Sequence, residues 1–312
     1  MTNDFNTLSR RGAMKCLGWA GTGALFTLMS GVASSLTLEQ ALAAPAHKGK
    51  ALRFLQISDT HVGFSKPANP DPVATLKETI AKVKALPDAP DFIVHTGDIT
   101  HLAKPEQFDL AEQLLREFGL PIHFVPGEHD IVDGVDPRPY LSHFGKKTAT
   151  TGGWYSFDIA GTHIIGLVNV VTLGDQGMGT LGTEQLAWLK KDLAGQKAST
   201  PIVLLSHFPL WPVYPSWGWG TQDGAAALAL LSRFASVTSL NGHIHQIQTM
   251  VEGHVRFHAA RSTAYPQPAP GVGAGPGPLL VPPEQLRGVI GYSSLEIVTH
   301  DTPIAVTDTV LG

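Results

Sequence analysis

Phe92-Ile93-Val94-His95-Thr96-Gly97-Asp98-Ile99-Thr100-His101 runs from a short apolar stretch straight into a glycine, a carboxylate and a histidine. An apolar run of this length, closed by a turn residue, reads as a buried strand. Buried strands of α/β folds bring their polar ends together along one edge of the sheet, where ligands bind. The same phrase recurs four times: residues 54–57 lead into Asp59-Thr60-His61, 122–125 into Gly127-Glu128-His129-Asp130, 202–205 into Ser206-His207, and 237–240 into Gly242-His243-Ile244-His245. Helix-length stretches separate the segments. Five strand ends carrying ligand-type side chains predict one dinuclear metal centre.

Outward from these strands, Asp71 and Pro72 mark the start of a helix running to about residue 86, with Val73, Leu76, Ile80 and Val83 on one face. A second helix covers about 105–118, with Phe108, Leu110, Leu114 and Leu115 as its apolar side and Gly119 as its stop. Strand-helix-strand-helix-strand with right-handed crossovers makes the first three strands parallel neighbours. Residues 154–159 and 163–170 straddle Ala160-Gly161-Thr162 and predict an antiparallel hairpin. Helices follow at 183–193 and near 223–234. Segments 254–259, 289–294 and 295–306 are strand-like, and the Pro/Gly-packed stretch 266–283 reads as a long ordered loop. The expected fold is α/β, a four-layer α-β-β-α sandwich of two mixed β-sheets flanked by helices.

The chain has 312 residues, 43% hydrophobic and 15% charged, enough for a large core. A formal charge of −4 without a basic stripe excludes duplex nucleic acid as an expected partner. Ser9-Arg10-Arg11-Gly12-Ala13-Met14-Lys15, an apolar Gly/Ala-rich stretch at 16–33 and Ala41-Leu42-Ala43 resemble a twin-arginine export signal. That reading divides the chain into a signal at 1–43 and a single domain at 44–312. It implies the twin-arginine export machinery as the precursor's partner, a periplasmic or secreted product, and no membrane span in the mature form. Cys16 is the only cysteine and falls inside this segment, so no disulfide and no thiolate ligand is expected afterwards.

Carboxylate oxygens mixed with imidazole nitrogens suit transition ions, whereas magnesium or calcium centres are built almost entirely of oxygen. The donor set accepts Fe, Mn or Zn. In the order D-x-H, G-D, G-x-H-D, H and G-H-x-H, residues 52–245 resemble the calcineurin-like metallophosphoesterase family, nearest its cyclic-nucleotide phosphodiesterase-like branch. The resemblance implies that Asp59, His61 and His245 hold a first ion, Asp98 bridges, and Glu128, His207 and His243 hold a second. It further implies that His129 stabilises the transition state or protonates the departing oxygen, with Asp130 fixing its ring, and that the ions activate a water for in-line displacement at phosphorus. The sequence departs from the family at Glu128, where asparagine is expected. Glutamate binds a hard cation better and repels an anionic substrate. His101 stands where the related purple acid phosphatases carry a metal-binding tyrosine, so the chain does not resemble that subgroup.

Residues 210–219 follow His207 and concentrate three of the six tryptophans, predicting a loop that overhangs the site. Trp211, Tyr214, Trp217 and Trp219 are candidate substrate contacts there, able to stack a base, sugar or aromatic alcohol. Arg261 and Tyr265 are candidates for the opposite wall, the arginine as a phosphate clamp. The expected activity is metal-dependent hydrolysis of a small phosphate ester, diester or monoester. A pyrophosphatase or phospholipid-headgroup hydrolase is the enzymatic alternative, and a metal-stabilised binding scaffold the non-catalytic one.

Overall fold

The computed structural model describes residues 24–29, 32–37, 51–297 and 304–312. The twin-arginine motif and the proposed cleavage site lie outside the described residues. Within the N-terminal region, β1 (Ala24–Met29) and β2 (Val32–Thr37) form a separate antiparallel pair. No helix among the described residues is long and apolar enough to cross a membrane.

Two mixed sheets face each other. The first has five strands in the order β13-β12-β3-β4-β5, comprising β3 (Leu52–Ile57), β4 (Phe92–His95), β5 (Ile122–Phe124), β12 (Gly291–Ile297) and β13 (Ala305–Val310). As predicted, β3, β4 and β5 are parallel neighbours. The second has six in the order β10-β11-β9-β8-β7-β6: β6 (Tyr155–Ile159), β7 (Thr162–Gly166), β8 (Ile202–Leu205), β9 (Val237–Asn241), β10 (Gln248–Glu252) and β11 (Val255–Ala259).

Period-two alternation sorts the apolar side chains into layers. Phe54, Phe92, Val94, Val203, Leu205 and Leu240 point between the sheets, where the rings of Phe54 and Phe92 stack at 4.8 Å. Leu55, Ile57 and Ile93 point the other way, under α1 (Pro72–Lys84) and α2 (Pro105–Arg116). Asp71 caps α1 by accepting the Ala74 N–H at 2.9 Å. Beyond the second sheet, Ile165, Ile202 and Leu204 pack against α4 (Gly182–Ala194) and α5 (Gly224–Leu230) through Leu189, Leu193 and Ala227. The result is the expected helix-sheet-sheet-helix order. Two short helices complete the set, α3 (Arg138–His143) and α6 (Leu286–Val289).

Several boundaries differ from the sequence reading. Ala160 and Gly161 both take positive φ, 47° and 74°, forming a two-residue hairpin turn that leaves Thr162 inside β7. β7 stops at Gly166; Leu167 still donates to the Leu205 carbonyl at 2.8 Å, and Val168 and Val170 leave the sheet to pack with Ile131 and Phe208. α5 ends at Leu230 instead of reaching residue 234. Residues 286–289 are helical, so the strand expected at 289–294 begins at Gly291 and runs unbroken to Ile297. β10 was not expected at all.

Candidate metal centre

The loops after β3 and β4 hold each other before they hold anything else. Asp59 N–H donates to the Gly97 carbonyl, His61 N–H to that of Asp98, and Val62 N–H to that of Ile99, each at 2.9 Å. This extends the parallel pairing past the sheet edge while the side chains turn. Asp59, His61, Asp98, His243 and His245 all take positive φ, between 43° and 70°, a region that residues other than glycine seldom occupy. Each such residue costs about 1 kcal/mol or more and persists where the surroundings dictate it. Five of them at one place mark a functional site. The same positive-φ turns carry Gly242-His243-Ile244-His245 out of strand geometry and deliver His243 to one donor group and His245 to the other.

Two groups of donors converge. Ligand atoms of Asp59, His61, Asp98 and His245 lie within 4.8 Å of one another, and so do those of Glu128, His207 and His243. Asp98 joins them: its Oδ2 is 3.5 Å from His61 Nε2 and 3.4 Å from His207 Nε2. Its Oδ1 accepts the His129 N–H at 2.9 Å, fixing the carboxylate plane. A side chain on Gly127 would place Cβ 2.1 Å from that Oδ1 and 2.3 Å from the Asp98 nitrogen, so only glycine permits the approach.

Backbone carbonyls choose the histidine tautomers. His207 Nδ1–H donates to Thr96 O at 2.7 Å and His245 Nδ1–H to Tyr265 O at 2.6 Å, leaving both Nε2 atoms free toward the cluster. His95, fully buried, links Thr60 Oγ1 at Nε2 to the Gly97 N–H at Nδ1 and ties the two ligand-bearing loops together. Burial drives its pKa down to about 3, so it stays neutral.

Charge at the centre is unbalanced without a cation. Burial opposes ionisation of Glu128, yet His243 and His207 hold it well below the usual carboxylate range. Burial likewise opposes a charged His207, yet Asp98 and Glu128 push it well above an ordinary histidine. Burial also disfavours charge on Asp59, and His245 and His207 overcome it to lower that carboxyl. His61, in contrast, is depressed by burial and by His129, His245 and His101. Glu128 Oε2 lies 2.7 Å from His207 Nε2 and Oε1 3.0 Å from His243 Nδ1. Even so, Glu128 Oε2, His207 Nε2 and His243 Nδ1 are buried with no hydrogen-bond partner, because the contacts lack hydrogen-bond geometry. Buried ligand atoms that lie this close together without satisfied hydrogen bonds fit transition-metal ions.

His129 borders the cluster, grouped with Asp98 and Glu128. Its Nδ1–H donates to the His101 carbonyl at 2.7 Å, and its ring stacks on that of His101. Burial disfavours the charged ring, but Asp98 and Glu128 raise its pKa above the usual value. Asp130 does not orient this ring, a correction to the sequence reading. Its carboxylate is turned away to accept the N–H groups of Gly127, Ile99 and Thr100 and the Thr100 hydroxyl, which makes it the clamp of the Asp98 loop.

The candidate substrate residues are dispersed. Trp219 is fully buried against Ile244 and Ala259, and Trp211 packs toward Phe257, so both anchor the aromatic loop rather than offering a face to a ligand. Tyr214 and Trp217 are half-buried on its outer side. Gln267 ties the 266–283 loop to the site by donating to the His243 carbonyl at 2.7 Å, and Gly271 of that loop abuts Tyr214. Arg261 lies within the field of Asp308: burial works to raise that carboxyl, and His258, Ser293 and, least, Arg261 bring it below its ordinary value. Tyr265 is no outer wall: it is buried against His61, with its hydroxyl 3.1 Å from His61 Nε2. Only a contact across 204 residues reveals that position.

The family profile described as calcineurin-like phosphoesterase matches residues 52–247. A 3′,5′-cyclic-nucleotide phosphodiesterase of Nostoc sp. is 24% identical over 220 residues, covering 69% of this chain and 79% of that protein. A glycerophosphodiester phosphodiesterase of Enterobacter lignolyticus is 26% identical over 180 residues, covering 54% and 61%. For a further relative, from Psychrobacter, the match spans 52% of the relative's length. In three dimensions, a dimetal phosphatase from Danio rerio superposes with a TM-score of 0.63 at 14% identity, over 84% of this chain and 98% of that one. That likeness is one of fold.

Proposed function

Because the chain belongs to the calcineurin-like phosphoesterase family, whose members are metal-dependent phosphoesterases with a dinuclear transition-metal centre, we propose that it hydrolyses a small phosphodiester. In this proposal Asp59, His61 and His245 hold one ion, Glu128, His207 and His243 hold the other, and Asp98 is shared. The ions, when bound, supply Lewis acidity toward the phosphate oxygens and acidify the attacking water.

The observation that carries the diester reading is Glu128, whose carboxylate stands between His207 and His243. Three carboxylates at the centre, set against two divalent ions, leave a single net positive charge. That charge matches a monoanionic diester. A neutral side chain at position 128 would leave two, matched to a dianionic monoester. Two relatives are named for phosphodiester substrates, a cyclic nucleotide and a glycerophosphodiester, which supports the same class.

His129 has the geometry for proton delivery. Its Nδ1–H is committed to the His101 carbonyl, which leaves Nε2 for the substrate side, and against the cost of burial Asp98 and Glu128 favour the protonated ring. As the ester P–O bond breaks, the departing alcohol oxygen takes that proton. Tyr214 and Trp217, with the 266–283 loop behind them, are proposed as the wall that receives the alcohol group. The twin-arginine segment supports a proposed periplasmic or secreted location, where scavenging phosphate from small esters is a fitting task.

Hydrolysis of paired aryl diester and aryl monoester substrates by protein of measured metal content tests the reading. A diester preference in kcat/KM of tenfold or more is expected. Equal or reversed preference contradicts the diester assignment, and two bound ions without turnover on these, cyclic-nucleotide, diphosphate or phospholipid substrates favours a binding scaffold.

A further inference from the structure

Eight large apolar side chains are exposed among the described residues, and six of them share one edge of the molecule. Leu102 (56% exposed) follows β4, Val135 (71%) follows β5, Leu173 (46%) follows β7, and Val272 (61%), Leu279 (39%) and Leu280 (67%) follow β11. β7 and β11 run parallel to β8 and β9, which lead into His207 and His243, so all these loops emerge at the edge where the donor groups converge. The other two, Leu110 on α2 and Val251 on β10, lie elsewhere. Exposed apolar residues scattered singly are ordinary, but a ring of them about one opening marks a docking surface.

Contacts join the ring into a rim. Gly218 packs against the carbonyls of Gln176 and Gly177, and Asp175 N–H donates to Gln222 Oε1 at 2.9 Å, so the loop of Leu173 leans on the aromatic loop. Gly271 faces the Tyr214 hydroxyl and brings the loop of Val272 alongside. On the other sheet's side, Leu102 adjoins His101, whose ring stacks on His129 at 4.9 Å, and Val135 follows closely on Asp130. Residues 208–222 and 262–283, two of the rim loops, contain no Asp, Glu, Lys or Arg in a chain that is 15% charged. Tyr214 and Trp217 add rings with polar tips, which suit the boundary between water and hydrocarbon.

Whatever covers this rim must leave the centre supplied with substrate. A protein partner or a second copy seated on it closes the opening, whereas a phospholipid surface carries phosphodiesters to it. We propose that the rim docks on a zwitterionic phospholipid surface and brings the headgroup phosphodiester to the candidate metal centre. The inference rests on the diester reading above and names one source of that diester. The phosphate of a zwitterionic headgroup is the monoanionic diester that the charge at the centre favours. Charge also selects zwitterionic over anionic lipid. Asp133 and Asp175 stand two residues from Val135 and Leu173, Arg138 is taken up by Asp136, and no run of Lys or Arg of the kind that holds anionic membranes occurs in the rim loops. In the hydrolysis, the water oxygen bonds to phosphorus, one ester P–O bond breaks and the departing alcohol leaves with a proton.

The test mixes the full chain with phosphatidylcholine vesicles and measures the fraction that floats with them, a readout independent of turnover. A double variant, Val135→Asp with Leu173→Asp, charges loops of both sheets without altering a ligand. It is expected to bind vesicles at least tenfold more weakly at unchanged far-UV spectrum and metal content. Val251→Asp, on edge strand β10, is expected to bind as the unmodified chain does. An unmodified chain that stays in solution, undiminished binding by the double variant, or an equal loss in Val251→Asp overturns the proposal. So does a preference for phosphatidylglycerol over phosphatidylcholine vesicles, or self-association in lipid-free buffer that the double variant abolishes, which assigns the rim to a second copy. Soluble aryl diester turnover by the unmodified chain is measured in parallel. Turnover without vesicle binding removes the docking face and leaves the phosphodiesterase, and rim-dependent binding without turnover of any diester does the reverse.

Discussion

Replacing Glu128 by glutamine isolates charge from shape, since the side chain keeps its length and one donor oxygen. Glu128 contacts His207 Nε2 at 2.7 Å and His243 Nδ1 at 3.0 Å, so a phosphate on the same ion lies roughly one ligand spacing beyond, about 5 Å from the carboxylate. Two unit charges at about 5 Å with an effective dielectric constant of about 20 interact by about 3 kcal/mol. Partial exposure of the pair reduces this to about 1.5–3 kcal/mol. A dianionic monoester feels the charge twice and a monoanionic diester once, so Glu128→Gln is expected to shift the monoester-to-diester ratio of kcat/KM by about 10- to 100-fold toward monoester. The assay is steady-state hydrolysis of matched aryl esters at one pH, with metal content measured on both proteins. A ratio unchanged within threefold at equal metal content refutes the electrostatic role of Glu128.

His129→Ala is expected to retain its ions and lose about 10²- to 10⁴-fold in kcat, with the smallest loss on esters whose leaving alcohol is already acidic; uniform loss across leaving groups argues against proton delivery. Gly127→Ala forces a methyl into the Asp98 carboxylate, so metal content and activity should both fall at least tenfold while the far-UV spectrum is kept. Away from the centre, His163 is gripped by Asp158 and Asp192, each at 2.8 Å. Burial works against its charge, but the hydrogen bonds to Asp192 and Asp158 raise its pKa. The stability this contributes is full below an ordinary histidine's pKa, about 6.5, and is lost as pH rises through the folded value. His163→Gln should therefore lower Tm more at pH 5.5 than at pH 9, and an equal loss at both would remove the clamp.

What could be read without coordinates follows a physical pattern. β4 and β8 were legible to the residue because they are buried on both faces and their apolar runs end where the ligands begin. β10 was invisible for the opposite reason: Gln248-Thr249-Met250-Val251-Glu252 is an edge strand with no fully buried residue, held in place by pairing with β11. Which residues would converge at the candidate centre was readable because metal ligation demands particular side chains at strand ends. The roles of their neighbours were not. Asp130 turned out to be a backbone clamp, Trp219 a core residue and Tyr265 a neighbour of His61, because each depends on contacts between segments distant in sequence. No local periodicity encodes such contacts. His95 carried a faint signal, a histidine placed inside an apolar strand just before the Asp98 turn.

Asp98 stands at the centre of the account, since its Oδ2 lies 3.5 Å from His61 Nε2 and 3.4 Å from His207 Nε2, whereas Asp59 Oδ1, 3.2 Å from His245 Nε2, is 4.0 Å from His207 Nε2. The most direct test is ion stoichiometry in purified Asp98→Ala beside the unmodified chain, by elemental analysis after removal of loosely bound metal. Two ions in the unmodified chain and loss of both together in the variant are predicted. Two ions retained tightly by Asp98→Ala would contradict the shared-ligand centre and the phosphodiesterase built on it.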